Sequence, residues 1–300
     1  MSLVSNVFDI AFIGHVCFDE VIPYMGEPSV APGSAVLCGA LAAARAGKKV
    51  AVITKLALKD ENILESMLKN GIEVFSIPAA VTTYMKVIHP TADVDERQIY
   101  QLSSAGFFSL EDIPPMAAHQ VHLAGITDQE FDFGFIHGLK EKGYRLSVDM
   151  QSFVRQVNPI THEIAFEDVP RKIEIVRLLD MVKLDIVEAK ILTGTSDLEQ
   201  AALIIEAWGC PEILITNADG VLARVNGKTY YEKFSNQSIV GRTGRGDTTF
   251  AAYIARRTDY DVSESLKFAA ALVSIKMETP GPFCGTLDDV IKRMQTDYTG

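Results

Sequence analysis

The feature that most constrains this chain is an alternation. Short runs dense in aliphatic and β-branched residues read as strands: "FDIAFIG" (8–14), "KVAVIT" (49–54), "HQVHLAG" (119–125), "YRLSVDM" (144–150), "LDMVKLD" (179–185) and "EILITN" (212–217). Several are apolar throughout, the pattern of parallel strands covered on both faces. The stretches between them predict helices over 35–47, 59–70, 129–142, 196–208, 247–257 and 262–277. Gly47 and Gly71 stand where helix C-caps belong, and Ser196 with Glu199 predicts a capping box. Repeated β-α alternation predicts an α/β fold with a doubly wound, mostly parallel sheet.

One region breaks the alternation. "TTYMKVIHP" (82–90) and "RQIYQLSSAG" (97–106) are extended and flank the acidic turn "TADVDE", so they predict a β-hairpin. With "FDEVIPYM" (18–25) they predict a small second sheet, a lid spanning parts of 18–25 and 82–105. A hairpin this small carries no core of its own, so it must pack on the main body or on a partner's lid, which makes a homodimer through the lid an expectation.

Composition bounds the function. A net charge of −11 argues against nucleic acid or anionic membrane as partners. The four cysteines, Cys17, Cys38, Cys210 and Cys284, have no metal-knuckle or redox spacing and read as reduced core residues of a cytoplasmic protein. The N-terminus has no basic leader pattern, and no apolar run reaches membrane-spanning length.

Several motifs compete. "GKT" at 227–229 lacks the earlier glycine of a P-loop, since Leu222 stands there; Asn226-Gly227 instead predicts a hairpin turn. His119 and His122 lie in a strand, where i and i+3 face opposite sides, so they are no metal pair. In "GRTGRGDTTF" (241–250), Arg245-Gly246-Asp247 is an adhesion tripeptide on one reading, but that reading requires an extracellular setting. On the other reading, Gly244 and Gly246 aim backbone N–H groups into one concavity at a helix N-terminus, a site for an anion. An aspartate there repels phosphate unless it takes a proton from the attacking group, so Asp247 is a candidate general base. A plain glycine turn with Asp247 as helix cap is the alternative.

"TGRGDTTFAAY" resembles the C-terminal signature of the ribokinase-like (pfkB-type) carbohydrate kinases, usually T-G-A-G-D-x-F. Other segments follow that family in order: "APGSAVLCGALAAARAG" (31–47) resembles its N-terminal signature, "SVDMQSFVR" (147–155) the strand ending in Asp and followed by Arg, "VKLDIVEAKILTG" (182–194) its N-x-x-E segment, and "ITNADGVLARVNG" (215–227) its nucleotide-site strand and turn. The resemblance implies one ribokinase-like domain over residues 1–300, with a Rossmann-like core and a β-lid. It implies transfer of the ATP γ-phosphoryl group, with Mg²⁺, to a hydroxyl of a sugar, polyol or nucleoside. Asp247 is then the base and Gly244, Arg245, Gly246 and Asp247 form the anion hole. Asp19, Gly33, Ser34, Cys38 and the lid's Arg97 bind the acceptor; Asp185, Glu188, Thr216, Asn217, Gly220 and Thr243 serve the nucleotide, with Glu188 ordering Mg²⁺ through water and residues near 216–221 and 270–280 flanking the adenine.

The departures from the family pattern are specific. Arg245 replaces the anion-hole alanine, and it either contacts phosphate or points to solvent. Gly241 replaces an acid linked in relatives to a monovalent cation. Cys38 falls on a substrate-binding asparagine, Ser34 on a glycine and Asp185 on the asparagine of N-x-x-E. "VDMQSFVR" and "KMETPGPF" are similar to inositol-kinase-like branches. The substitutions leave a second expectation open, a nucleotide- or metabolite-binding regulator of the same fold; a kinase using another donor such as ADP is a third.

Overall fold

The computed structural model describes residues 7–92 and 96–298, with no side-chain description for the last of these; residues 93–95 of the expected acidic turn lie outside. The chain runs β1 (Val7–Ile13), β2 (Cys17–Ile22), β3 (Ser29–Gly33), α1 (Ala35–Arg45), β4 (Val50–Leu56), α2 (Glu65–Lys69), β5 (Glu73–Pro78), β6 (Thr83–Ile88), β7 (Gln98–Ser103) and β8 (Ala117–Leu123). It continues through α3 (Phe133–Glu141), β9 (Leu146–Asp149), α4 (Gln151–Val154), β10 (Arg155–Val157), β11 (Ile164–Phe166), α5 (Lys172–Arg177), β12 (Met181–Asp185), α6 (Ile186–Thr193) and α7 (Leu198–Trp208). The last part holds β13 (Glu212–Thr216), β14 (Gly220–Val225), β15 (Lys228–Lys233), α8 (Arg245–Arg257), α9 (Val262–Met277) and α10 (Leu287–Tyr298).

Nine strands form one sheet in the order β15-β14-β13-β12-β9-β8-β1-β4-β5. The pairs from β13 to β5 are parallel; β14 and β15 add antiparallel at the other edge. Strand residues alternate between two buried faces. Ile10, Phe12, Val50 and Val52 pack under α1, α8 and α9, while Ala11, Ile13, Ala51 and Ile53 pack under α3 and the α5–α7 side. That two-sided burial is why these strands read as continuous apolar runs. The strand β5 escapes such a reading because it is an edge with alternating exposure.

The expected hairpin is present as antiparallel β6 and β7. β2 pairs parallel with β6 and antiparallel with β3, giving a four-stranded sheet β3-β2-β6-β7. Asn226 (φ +51°) and Gly227 (φ +76°) join β14 to β15 with both turn residues in the left-handed region, as a two-residue hairpin turn demands.

Three expectations are corrected. The helix expected over 59–70 is a 3₁₀ segment, Leu58–Leu64, followed by a single α-helical turn. The helix expected from Ser196 begins at Leu198, capped by Asp197, whose carboxylate accepts the Gln200 N–H at 2.8 Å; no Ser196–Glu199 box forms. Asp197 is the better cap because it carries a full negative charge at the positive helix end. Of the cysteines, Cys17, Cys38 and Cys210 are buried free thiols, but Cys284 is exposed.

Candidate active site

From β1 the chain crosses to β4 on one side and later returns to β8 on the other. The switch point in an α/β sheet opens a crevice at the strand carboxyl ends, where ligands bind. The lid sheet grows from the same edge: His15, just after β1, has its Nδ1 2.9 Å from Thr83 Oγ1 of β6 and its Nε2 2.9 Å from the Gly106 carbonyl.

The glycine loop enters this crevice. Gly244, at φ +78°, is the N-cap of α8, so Arg245, Gly246 and Asp247 are its first three residues. Only glycine takes that backbone without strain. The amides of Gly246 and Asp247 fall in the first turn, where an α-helix leaves its donors unpaired. The Arg245 amide instead donates to the Arg242 carbonyl at 3.1 Å, which takes it out of the expected anion hole. A Cβ on Gly244 would lie 2.6 Å from Cys38 Sγ. Cys38 is therefore the floor beneath the loop, and burial, helped by the charge of Asp247, pushes its thiol up to about 12.

Beneath Gly246 stands a buried ion pair. Lys183, in the middle of β12, donates from Nζ to Asp149 Oδ2, at the end of β9, at 2.8 Å. A Cβ on Gly246 would meet that Nζ at 2.9 Å, so the ammonium touches the back of the loop. Burial works against the Lys183 charge, but the fields of Asp149, Glu188, Asp247 and Asp185 hold it protonated. Asp149 is pushed above the usual carboxylate range by burial and by Asp247, with Lys183 opposing.

Asp185 and Glu188 form a reciprocal capping box at the start of α6: the Glu188 N–H donates to Asp185 Oδ1 and the Asp185 N–H to Glu188 Oε2, both at 2.8 Å. Burial, then the neighbouring Asp185, raises Glu188 to about 8. The second oxygen of Glu188, Oε1, is buried without a partner among the described residues, as are Thr216 Oγ1 and Thr248 Oγ1. Buried polar atoms are normally paired, so these three fit a site that accepts a polyanionic donor and a hydrated cation. Among the described residues no group of three or more His, Cys, Asp and Glu is arranged to grip a metal directly.

The residues expected to bind the acceptor lie within electrostatic reach of the loop. Asp19 of β2 receives a hydrogen bond from Cys17 Sγ at 3.2 Å, and a Cβ on Gly33 would lie 1.8 Å from Asp19 Oδ2. Burial raises the Asp19 carboxyl, and the charge of Asp247 adds to the rise, so the two aspartates share one electrostatic neighbourhood. Ser34 caps α1 at φ +128°, a conformation nearly confined to glycine.

Of the other expected residues, Asn217 spends its side chain on its own turn, accepting from the Asp219 and Gly220 amides at 3.0 and 2.8 Å. Gly220 is packed against Tyr231. Thr243 is exposed, and its carbonyl accepts from Lys276. Arg97 is exposed just ahead of β7. Arg245 is partly buried and adds to the burial that lowers the pKa of Lys276. His122 packs near Phe12 and Phe250 with Nδ1 3.0 Å from Ser147 Oγ, a buried structural histidine whose pKa burial lowers to about 3.

Three residues join the site that residue-by-residue reading did not assign. Arg155 reaches both sides, opposing the burial that raises Asp19 and Glu188, and its buried Nε has no partner among the described residues. Lys183 and Lys276 supply buried positive charge. A lysine inside the apolar strand "MVKLD", or on the apolar helix face of "SIKMET", is the signal that could have found them.

Residues 5–284 match the pfkB family of carbohydrate kinases. The chain belongs to that family. It is therefore a phosphotransferase with a hydroxyl acceptor, on the ribokinase-like α/β fold. A cytidine kinase of Thermococcus kodakarensis is 28% identical over 261 residues, covering 83% of this chain and 88% of that protein. A pyrophosphate-dependent kinase of the ribokinase family, solved with a pyrophosphate analog and myo-inositol, is 32% identical, covers 94% of this chain and 99% of its own, and superposes with a TM-score of 0.86. A sulfate complex of a pyrophosphate-dependent kinase in the ribokinase family is 34% identical, covers 94% of this chain and 99% of its own, and superposes with a TM-score of 0.87. The ribokinase of Arabidopsis thaliana, solved with ribose and ATP, shares the fold at TM-score 0.76 with 18% identity over 96% of this chain.

Proposed function

We propose that this protein phosphorylates a cyclic polyol of the inositol class and takes the phosphoryl group from inorganic pyrophosphate. The observation that carries the donor assignment is the density of positive charge around the glycine loop. Lys183 lies behind Gly246, Arg245 opens α8, and Lys276 lies within the field of Asp247. A compact polyanion fits that surround, and the resemblance to the pyrophosphate-dependent kinases at 32–34% identity supports it. ATP is the second reading, favoured by the β13–β14 strand and turn where the family signature places the nucleotide. Either donor supplies an electrophilic phosphorus, and a bound Mg²⁺ would offset the negative charge of its oxygens.

In this proposal the acceptor hydroxyl attacks the phosphorus as Asp247 accepts its proton, the bridging P–O bond of pyrophosphate breaks to release orthophosphate (ADP leaves in the ATP reading), and the Gly246 and Asp247 amides receive the phosphoryl oxygens. Asp19 hydrogen-bonds acceptor hydroxyls at the floor of the lid. Glu188, whose Oε1 is buried without a partner among the described residues, would hold a hydrated Mg²⁺, which would supply positive charge beside the transferred phosphoryl group. Preorganised donors and cations of this kind act on charge developing in the transition state. One ribokinase-like domain over 1–300, a cytoplasmic location and a homodimer through the lid belong to the same reading. Exposed Val30 of β3 and Leu102 of β7 are the lid side chains that such a dimer would cover.

The test is turnover with Mg²⁺ and either pyrophosphate or ATP, against inositols, pentoses, hexoses and nucleosides, followed by phosphorus NMR. Phosphorylated inositol with pyrophosphate is the expected outcome. ATP-specific turnover overturns the donor assignment, and a phosphorylated nucleoside overturns the acceptor. Binding of donor without turnover on any acceptor supports the regulator.

A further inference from the structure

We propose that Lys276 is a cation built into the donor loop: a positioning residue that sets the loop's backbone for anion binding and makes a bound monovalent cation unnecessary. The inference rests on the glycine loop being the anion site proposed above. Lys276 is in the last turn of α9 and is 1% exposed, so its charge cannot be met by bulk water. Its Nζ donates to two carbonyls of the loop, those of Gly241 and Thr243. Two carbonyl oxygens converging on one point within three residues repel each other unless a cation or donors lie between them. The ammonium supplies both the charge and the donors, and hydrogen bonds to ionised groups are the stronger kind.

The neighbouring backbone shows that this contact is built. The Gly241 N–H donates to the Met277 carbonyl at 2.8 Å, so the loop is strapped to the end of α9 from both its amide and its carbonyl side. A Cβ on Gly241 would lie 1.9 Å from the Thr279 carbonyl oxygen and 2.6 Å from that of Lys276, so the residue at 241 has no room for a side chain. Immediately downstream, Gly244 makes the left-handed step that aims the first amides of α8 into the crevice. Among the described residues no side chain caps this helix, so its starting position depends on what holds residues 241–243. Burial lowers the Lys276 pKa and the charge of Asp247 opposes that fall, so the two loop carbonyls and Asp247 are what hold an ammonium at this place behind the anion site.

The experiment reads the loop separately from turnover. Binding of inorganic pyrophosphate, and of ATP in parallel, is measured by calorimetry in potassium, sodium and choline chloride at equal ionic strength. Hydrogen exchange is followed over 241–250. For the wild type, affinity and exchange are expected to agree within about twofold in all three salts. In Lys276→Met, anion binding weakens at least ~10-fold, the weight of one hydrogen bond to a charged group, and exchange over 241–246 accelerates. Lys276→Arg, which keeps the charge, stays closer to wild type than Lys276→Met. A wild-type protein whose anion binding rises more than tenfold on adding potassium overturns the proposal, and that arm needs no variant to fold. A cooperatively melting Lys276→Met protein with unchanged exchange and binding overturns it too. Intact, cation-independent anion binding without turnover of any inositol would sink the acceptor proposed above and leave this inference standing; inositol turnover that strictly requires potassium does the reverse.

Discussion

Replacing Lys183 by Met tests the electrostatic core of the site. The substitution roughly keeps the volume of the side chain and removes the ammonium from Asp149, its 2.8 Å partner. Lys183 and Asp149 are 3% and 1% exposed, so water does not take over. Breaking a buried pair by removing one partner costs about 3–5 kcal/mol. The pH dependence is the sharper signature. Asp149 has a folded-state pKa raised above its unfolded value, so the stability linked to its proton is present below the unfolded pKa and lost as pH rises through the folded one. With Lys183 in place the carboxyl is raised only to about 6, and it ionises inside the window from pH 5 to 7. That costs the wild type about 1.4 kcal/mol across the window. Without Lys183 the carboxyl stays protonated to higher pH, and the full slope of about 1.4 kcal/mol per unit applies, about 2.7 kcal/mol over the same window. Glu188, already raised to about 8, stays protonated in both proteins there and adds no difference. Urea unfolding at pH 5, 6 and 7 reads the effect, with Asp149→Asn/Lys183→Met as the variant that should lose the extra slope. Equal pH slopes for wild type and Lys183→Met would refute the reasoning.

The remaining predictions concern the site. Asp247→Asn should lower kcat by about 10²–10⁴, the usual weight of a general base, while donor binding measured by calorimetry is retained; near-normal turnover in the folded variant would remove Asp247 from that role. Gly33→Ala forces a Cβ to within 1.8 Å of the Asp19 carboxylate, so the acceptor KM should rise while donor affinity holds, and an unchanged acceptor KM would detach Asp19 from the pocket. A maleimide at neutral pH should label Cys284 first, because it is exposed, and spare Cys38, which is buried and raised to about 12. Mass spectrometry of the labelled protein checks this, and early modification of Cys38 would contradict the closed floor beneath Gly244.

The sequence alone determined what depends on local periodicity and local backbone chemistry. The parallel strands were legible because burial on both faces writes continuous apolar runs. The lid hairpin, the Asn226-Gly227 turn and the glycine loop at the start of α8 were legible because turn residues act within a few positions. Other features depended on packing between distant segments. A capping carboxylate at Asp197 outcompeted the neighbouring serine. The 3₁₀ segment at 58–64 has the same local composition as a helix, and β5 hides its strand character at an edge. The charges of the site were the least legible part. Lys183 sits under Gly246 only because β12 and α8 meet at one end of the sheet, and Lys276 reaches the carbonyls of Gly241 and Thr243 only because α9 packs beside the loop. A buried lysine looks like an interruption in a string of apolar residues. Only the tertiary structure shows which distant carboxylates and carbonyls compensate it, because electrostatic energy in a buried site depends on separations through space that the string does not contain.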